Sequence, residues 1–154
     1  GTDLNPAIID FFSENNYNIA LYGTNSENIS KCVNNLSSSG IKIYYYQDGY
    51  SDLDFNNIKD DSVLLVGLGT PKQEIWIKNN MDKITSKKLI IITVGGFFDF
   101  KAGFYKRAPL WIRKIKMEWF YRIVDNPKLH LLKYMNNFYF VPYIIEGLFL
   151  VKRK

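Results

Sequence analysis

Apolar and polar positions in the first hundred residues switch between two periods, and each switch marks a predicted element. Residues 18–22 form a short apolar run closed by Gly23 and predict a strand. Ile29, Cys32, Val33 and Leu36 then recur at helical spacing, with Asn25 or Ser26 placed to cap the start and Gly40 to stop the helix. Residues 41–46 are rich in strand formers again. Residues 47–61 are acidic and turn-rich, and predict a surface loop with at most a short helical piece. Residues 62–66 and 89–94 are unbroken apolar runs, the second closed by Gly95 and Gly96, and runs apolar on both faces suit strands buried in a parallel sheet. Between them, Thr70, Pro71 and Gln73 have the form of a capping box with proline at the first helical position, predicting a helix to about Asn80.

From Phe97 the chain turns aromatic and basic at helical spacing, and Pro109, Pro127 and Pro142 divide it into short helices. Strands alternating with helices predict an α/β fold with a parallel sheet of about four strands, followed by a helical appendage. The division places a nucleotide-type region at residues 1–103 and a basic, aromatic appendage at residues 104–154.

A length of 154 residues and 47% hydrophobic content suit one ordinary domain with a core and exclude a disordered chain. The single cysteine, Cys32, has no partner for an internal disulfide, which fits a reducing cytosolic setting and a small buried residue. No secretory signal pattern opens the chain. The longest apolar run, residues 138–151, is interrupted by Pro142 and Glu146 and falls short of the roughly 20 residues a spanning helix needs. Charge is distributed unevenly. Residues 1–100 carry 8 Lys/Arg against 12 Asp/Glu, a net of −4, and residues 101–154 carry 12 against 3, a net of +9. The second part is therefore suited to an anionic partner.

Two glycine loops are the candidate chemistry. In VGLGTPKQE, residues 66–74, Gly67 and Gly69 let backbone approach a ligand at a helix N-terminus, and Lys72, Gln73 and Glu74 add polar side chains beside it. A bare GxG more often just makes a tight turn; the polar triplet shifts this one toward a site. It lacks the GKS/T ending of a P-loop. In TVGGFFDFKAG, residues 93–103, Gly95 and Gly96 follow the last strand, and Asp99 either bonds a sugar or ribose hydroxyl or caps a helix. Both loops leave carboxyl ends of parallel strands, the edge where open sheets bind ligands.

The stretch 104–122 carries Lys106, Arg107, Arg113, Lys114, Lys116 and Arg122, which can meet phosphates, among Trp111, Trp119, Phe120 and Tyr121. Such runs are commonly solvated helix faces. The apolar run 138–151 and the closing Lys152, Arg153 and Lys154 favour attachment to an anionic membrane surface instead. Asp52 and Asp54 have the DxD form of a metal-nucleotide motif but lie in the acidic loop without a preceding apolar strand, and are expected to be solvent-exposed. His130, the one histidine, can assemble neither a zinc site nor a serine-type triad.

The segments GTDL, GLGTPKQEIW, VGGFFDFKAG and KRAPLWIRKIKMEWFYRIVDNP, in this order over essentially the whole chain, resemble the bacterial WecG/TagA/CpsF glycosyltransferases. The resemblance implies a Rossmann-like domain that uses a UDP-sugar, typically UDP-N-acetylmannosamine or its uronic acid, with inversion at the anomeric carbon and no metal cofactor. The implied acceptor is undecaprenyl diphosphate-linked N-acetylglucosamine at the inner face of the plasma membrane. Lys72, Gln73, Glu74, Gly95, Gly96 and Asp99 would line the nucleotide-sugar pocket, with Arg107 and Arg113 near phosphate. The basic tail is associated with membrane docking and completion of the site. The family's chains carry a further N-terminal half ahead of the GxDL segment, with the carboxylate proposed as general base; that half is absent from this sequence, so the isolated chain is expected to bind UDP and turn over poorly. His130 and Lys133 stand where relatives often place arginines and take no phosphate role. Rival readings are a non-catalytic UDP- or membrane-binding module and a nucleic-acid binder, the latter without a supporting motif. The number of copies, a homo-oligomer among the options, is left open.

Overall fold

The computed structural model describes residues 4–104 together with Pro109, Ile112, Tyr121 and Val124. The chain divides into two units, residues 1–106 and 107–154. In the first, Leu4–Glu14 forms α1, Ile19–Gly23 β1, Ser26–Ser37 α2 and Ile43–Gln47 β2. A single 3₁₀ turn, Phe55–Asn57, precedes β3 (Val63–Gly67), α3 (Lys72–Asn79), α4 (Met81–Ser86), β4 (Ile90–Thr93) and α5 (Phe97–Lys101). The four strands fall within about two residues of their predicted bounds.

The strands lie in the order β2-β1-β3-β4, and every neighbouring pair is parallel. This is the predicted α/β architecture, a Rossmann-like sheet. The chain leaves β1 toward one side and returns on the other, so strand order reverses between β1 and β3. Parallel sheets bind ligands at that switch point, beyond the carboxyl ends of the strands.

Alternation along β1 and β3 divides the core between the two faces of the sheet. Ile19, Leu21, Val63 and Leu65 meet Ile9 of α1, Ile29, Cys32 and Leu36 of α2, and Phe97 and Phe98 of α5. Ala20, Tyr22, Leu64 and Val66 meet Leu53, Ile58 and the half-buried Trp76 of α3 on the other face. All five residues of β1 and of β3 are buried. The predicted stripe of α2 holds: Asn25 caps the helix by accepting the Asn28 N–H at 2.8 Å, and Ile29, Cys32 and Leu36 are buried.

Two expectations need correction. The capping box before α3 does not form, because Pro71 occupies the cap itself and no side chain caps the helix. The Thr70 hydroxyl instead donates to Glu74 Oε1 at 3.2 Å, a charged acceptor that competes well with a backbone partner. The run 89–94 is not buried on both faces: β4 pairs only with β3 among the described strands, and Ile90 is 38% exposed. An apolar run can mark a strand without making it central. Ahead of the first predicted element, Leu4–Glu14 is also helical. Leu4, Ala7, Ile8, Phe11 and Phe12 recur at helical spacing and announce it, although Leu4 and Phe11 are exposed and Ile9 alone is buried.

The acidic loop matches expectation: Asp52 and Asp54 are exposed, and Asp54 accepts the Asn56 N–H at 3.0 Å to cap the 3₁₀ turn. Burial pushes the Cys32 thiol up to about 12, so it stays protonated at neutral pH. Iodoacetamide should leave Cys32 unmodified in the folded chain at pH 8 and alkylate it rapidly in denaturant, as mass spectrometry would record.

Candidate functional site

The rim formed by the carboxyl ends of the strands begins with two paired glycines. Gly23 ends β1 opposite Gly67, which ends β3. A Cβ on Gly23 would lie 2.4 Å from the Gly67 carbonyl oxygen, so no side chain fits between these strands at their exit. On Gly67, a Cβ would stand 2.5 Å from the Phe98 ring, which is fully buried. The first glycine loop is therefore partly structural: Gly67 makes room for the helix that follows β4.

Gly69, Gly95 and Gly96 differ, since a Cβ on any of them would meet nothing within 4 Å among the described residues. Gly69 and Gly95 have φ of +77° and +54°, in the left-handed region that favours glycine. They leave open backbone at the exits of β3 and β4, which are neighbouring parallel strands.

Beyond Gly69, α3 begins with the polar triplet. Lys72 is exposed and makes no ion pair among the described residues. Gln73 is 5% exposed, and its Nε2 donates to Glu74 Oε1 at 2.9 Å and to Thr70 Oγ1 at 3.5 Å. These bonds orient the amide, and Gln73 Oε1 is left buried without a hydrogen-bond partner among the described residues. The amide of Gln73 holds the Glu74 carboxyl below its ordinary range, with its own backbone N–H and the Thr70 hydroxyl assisting. Glu74 therefore remains an anion at neutral pH, braced against the start of its helix.

Asp99 sits in the first turn of α5, whose cap is Gly96. It is thus no helix cap. Its Oδ1 accepts from the Thr24 hydroxyl and from Asn28 Nδ2, the latter at 2.8 Å. At least part of the carboxylate is engaged within the protein.

The structure brings Gly67, Gly69, Lys72, Gln73 and Glu74 to the β3 exit, and Gly95, Gly96 and Asp99 to the β4 exit, all on one rim. Gln73 and Asp99 flank the sheet from opposite faces, because α3 packs on the Tyr22 and Trp76 side and α5 on the Cys32 and Phe98 side. Arg107 and Arg113 lie outside the described residues, as do His130 and the apolar run 138–151. No group of three or more His, Cys, Asp or Glu side chains among the described residues is placed to hold a metal ion.

Sequence reasoning missed a third exit, Gly23 and Thr24, and with it Asn28. The signal was present in LYGTN, residues 21–25: a strand end, a glycine, a small hydroxyl residue and a helix cap, as in the loop after β3. Its parallel pairing with β3 puts it on the same edge.

A parallel sheet with glycine turns at its strand exits places the chain among the Rossmann-like α/β proteins. The chain belongs to the glycosyl transferase WecG/TagA/CpsF family, whose model matches residues 1–154. It is 34% identical over 134 residues to the N-acetylglucosaminyldiphosphoundecaprenol N-acetyl-beta-D-mannosaminyltransferase of Bacillus subtilis (strain 168), covering 82% of this chain and 52% of that protein. A Shigella boydii relative, UDP-Gal:alpha-D-GlcNAc-diphosphoundecaprenol beta-1,4-galactosyltransferase, is 32% identical over 145 residues, covering 88% of this chain and 58% of its own length. The chain thus spans about half the length of these relatives.

Gly67→Ala should destabilise the fold by ~1–3 kcal/mol in urea titration through its clash with Phe98. Pairing it with Phe98→Leu should give less destabilisation than the sum of the two single changes.

Proposed function

We propose that this rim binds the UDP-sugar donor of a glycosyltransferase that acts on a polyprenyl diphosphate-linked N-acetylglucosamine acceptor. The orphaned Gln73 Oε1 carries the proposal. A buried acceptor without a partner costs about 1–3 kcal/mol, and a ligand that donates to it recovers much of this. Phosphate oxygens cannot donate. The atom therefore fits a sugar hydroxyl, an N-acetyl N–H or the uracil N3–H, while the open backbone at Gly69, Gly95 and Gly96 suits close approach of the diphosphate.

The two relatives are named for different sugars, N-acetylmannosamine and galactose. Family membership alone therefore does not fix the donor, and our reading of an N-acetylhexosamine, N-acetylmannosamine or its uronic acid, rests on the resemblance of the glycine-loop motifs. In inverting transfer a carboxylate takes the proton of the acceptor hydroxyl as the anomeric carbon–diphosphate bond breaks, and the developing charge on UDP needs positive partners. Lys72 at this rim, with Arg107 and Arg113, supplies that charge on this reading, and no metal is required. Residues 104–154, with a net of +9 from residue 101 onward, would hold the enzyme against anionic lipid on the inner face of the plasma membrane. No helix among the described residues is long and apolar enough to cross a membrane.

Calorimetry should record UDP-sugar binding to the chain with equal affinity in EDTA and in magnesium, and no comparable binding of an oligonucleotide. Gln73→Leu should weaken UDP-sugar binding by about 5- to 150-fold. Unchanged affinity in that variant would remove Gln73 from the site. Flotation with phosphatidylglycerol vesicles should recover the full chain and fail for one ending at residue 137; equal recovery would discard the membrane role.

A further inference from the structure

We propose that Thr24 is a positioning residue that ties the exits of all four strands into one rim, and that its hydroxyl, through Asp99, fixes the β4-exit glycines relative to those of β3. The proposal rests on the donor-binding reading above only for its consequence, not for its geometry.

Three groups on Thr24 bond in three directions. Its N–H donates to the Gly67 carbonyl at the β3 exit, at 3.2 Å. Its carbonyl accepts the Gly49 N–H at 2.8 Å, which holds the loop after β2. Its hydroxyl donates to Asp99 Oδ1 in the helix that follows β4. Because Thr24 directly follows the last residue of β1, one residue joins all four exits.

The backbone of Thr24 supports a role beyond chain reversal. Its φ is +48°, in the left-handed region, where a β-branched residue is an outlier held only by its surroundings. Glycine would turn the chain there without strain. Glycine, however, has no hydroxyl for Asp99. Asn28, which is 6% exposed, donates its side-chain amide to the same oxygen and seats the carboxylate from the other side. Asp99 lies three residues beyond Gly96 on a short helix, so anchoring it anchors the turn carrying Gly95 and Gly96. The Phe98 ring against Gly67 sets the depth of that helix; the Thr24 bond sets its remaining freedom.

Thr24→Val keeps the shape and both backbone bonds and removes the hydroxyl, whereas Thr24→Ser keeps the hydroxyl. Native-state amide exchange on the free chain reads the result directly. In Thr24→Val, exchange should rise about tenfold or more at residues 94–99 and stay unchanged at 19–22 and 63–66, with Thr24→Ser matching the wild type. UDP affinity should fall at least about fivefold in the valine variant and be restored in the serine variant. Should Thr24→Val not fold, Asp99→Asn weakens the same bond from the acceptor side and should raise exchange over the same residues. Exchange at 94–99 that is unchanged, or that rises equally in the core strands, overturns the positioning role. Failure of the wild-type chain to bind UDP would instead overturn the donor-binding reading, and the exchange pattern would still decide the role of Thr24.

Discussion

The rim depends on two strands approaching too closely for any side chain. Where β1 and β3 end side by side, Gly23 and Gly67 put backbone against backbone. That contact lets the Thr24 N–H reach the Gly67 carbonyl, and it leaves the far side of Gly67 free for the Phe98 ring. The position of α5, and with it the turn at Gly95 and Gly96, follows from these contacts. A methyl group at either glycine acts on the whole edge because its neighbour is main chain or a buried ring, neither of which can swing aside.

Much of this was legible in the sequence, for reasons that can be stated residue by residue. The strands announced themselves because β1 and β3 are buried on both faces, so residues 19–22 and 63–66 contain little that water would favour. The stripe of α2 was visible because one side of that helix rests on the sheet and the other is solvated. Less visible were features that depend on how distant segments meet. Nothing local says that Gly67 faces a phenylalanine 31 positions later, or that Asp99 reaches back 75 positions to Thr24. The helix at Leu4–Glu14 went unread although Leu4, Ala7, Ile8, Phe11 and Phe12 recur at helical spacing. At Thr70 the motif was read correctly as a helix start, but the hydroxyl found a carboxylate in place of the backbone.

The candidate site divides along the same line. Among the described residues nothing packs where a side chain on Gly69, Gly95 or Gly96 would lie, while Gly67 serves packing. Gln73 combines burial with an unsatisfied acceptor, and Glu74 beside it orients the amide. Relatives of similar identity are themselves named for different sugars.

The fastening of Thr24 to its neighbours has a thermodynamic corollary. Its links to Gly67, the last residue of β3, and to Gly49 are made by main-chain groups and are already formed in the free chain. A molecule docking on such an edge meets a mould already cast, and spends little of its interaction energy on ordering the protein. Selectivity would then be concentrated in groups without a mate among the described residues, foremost the carbonyl oxygen of Gln73.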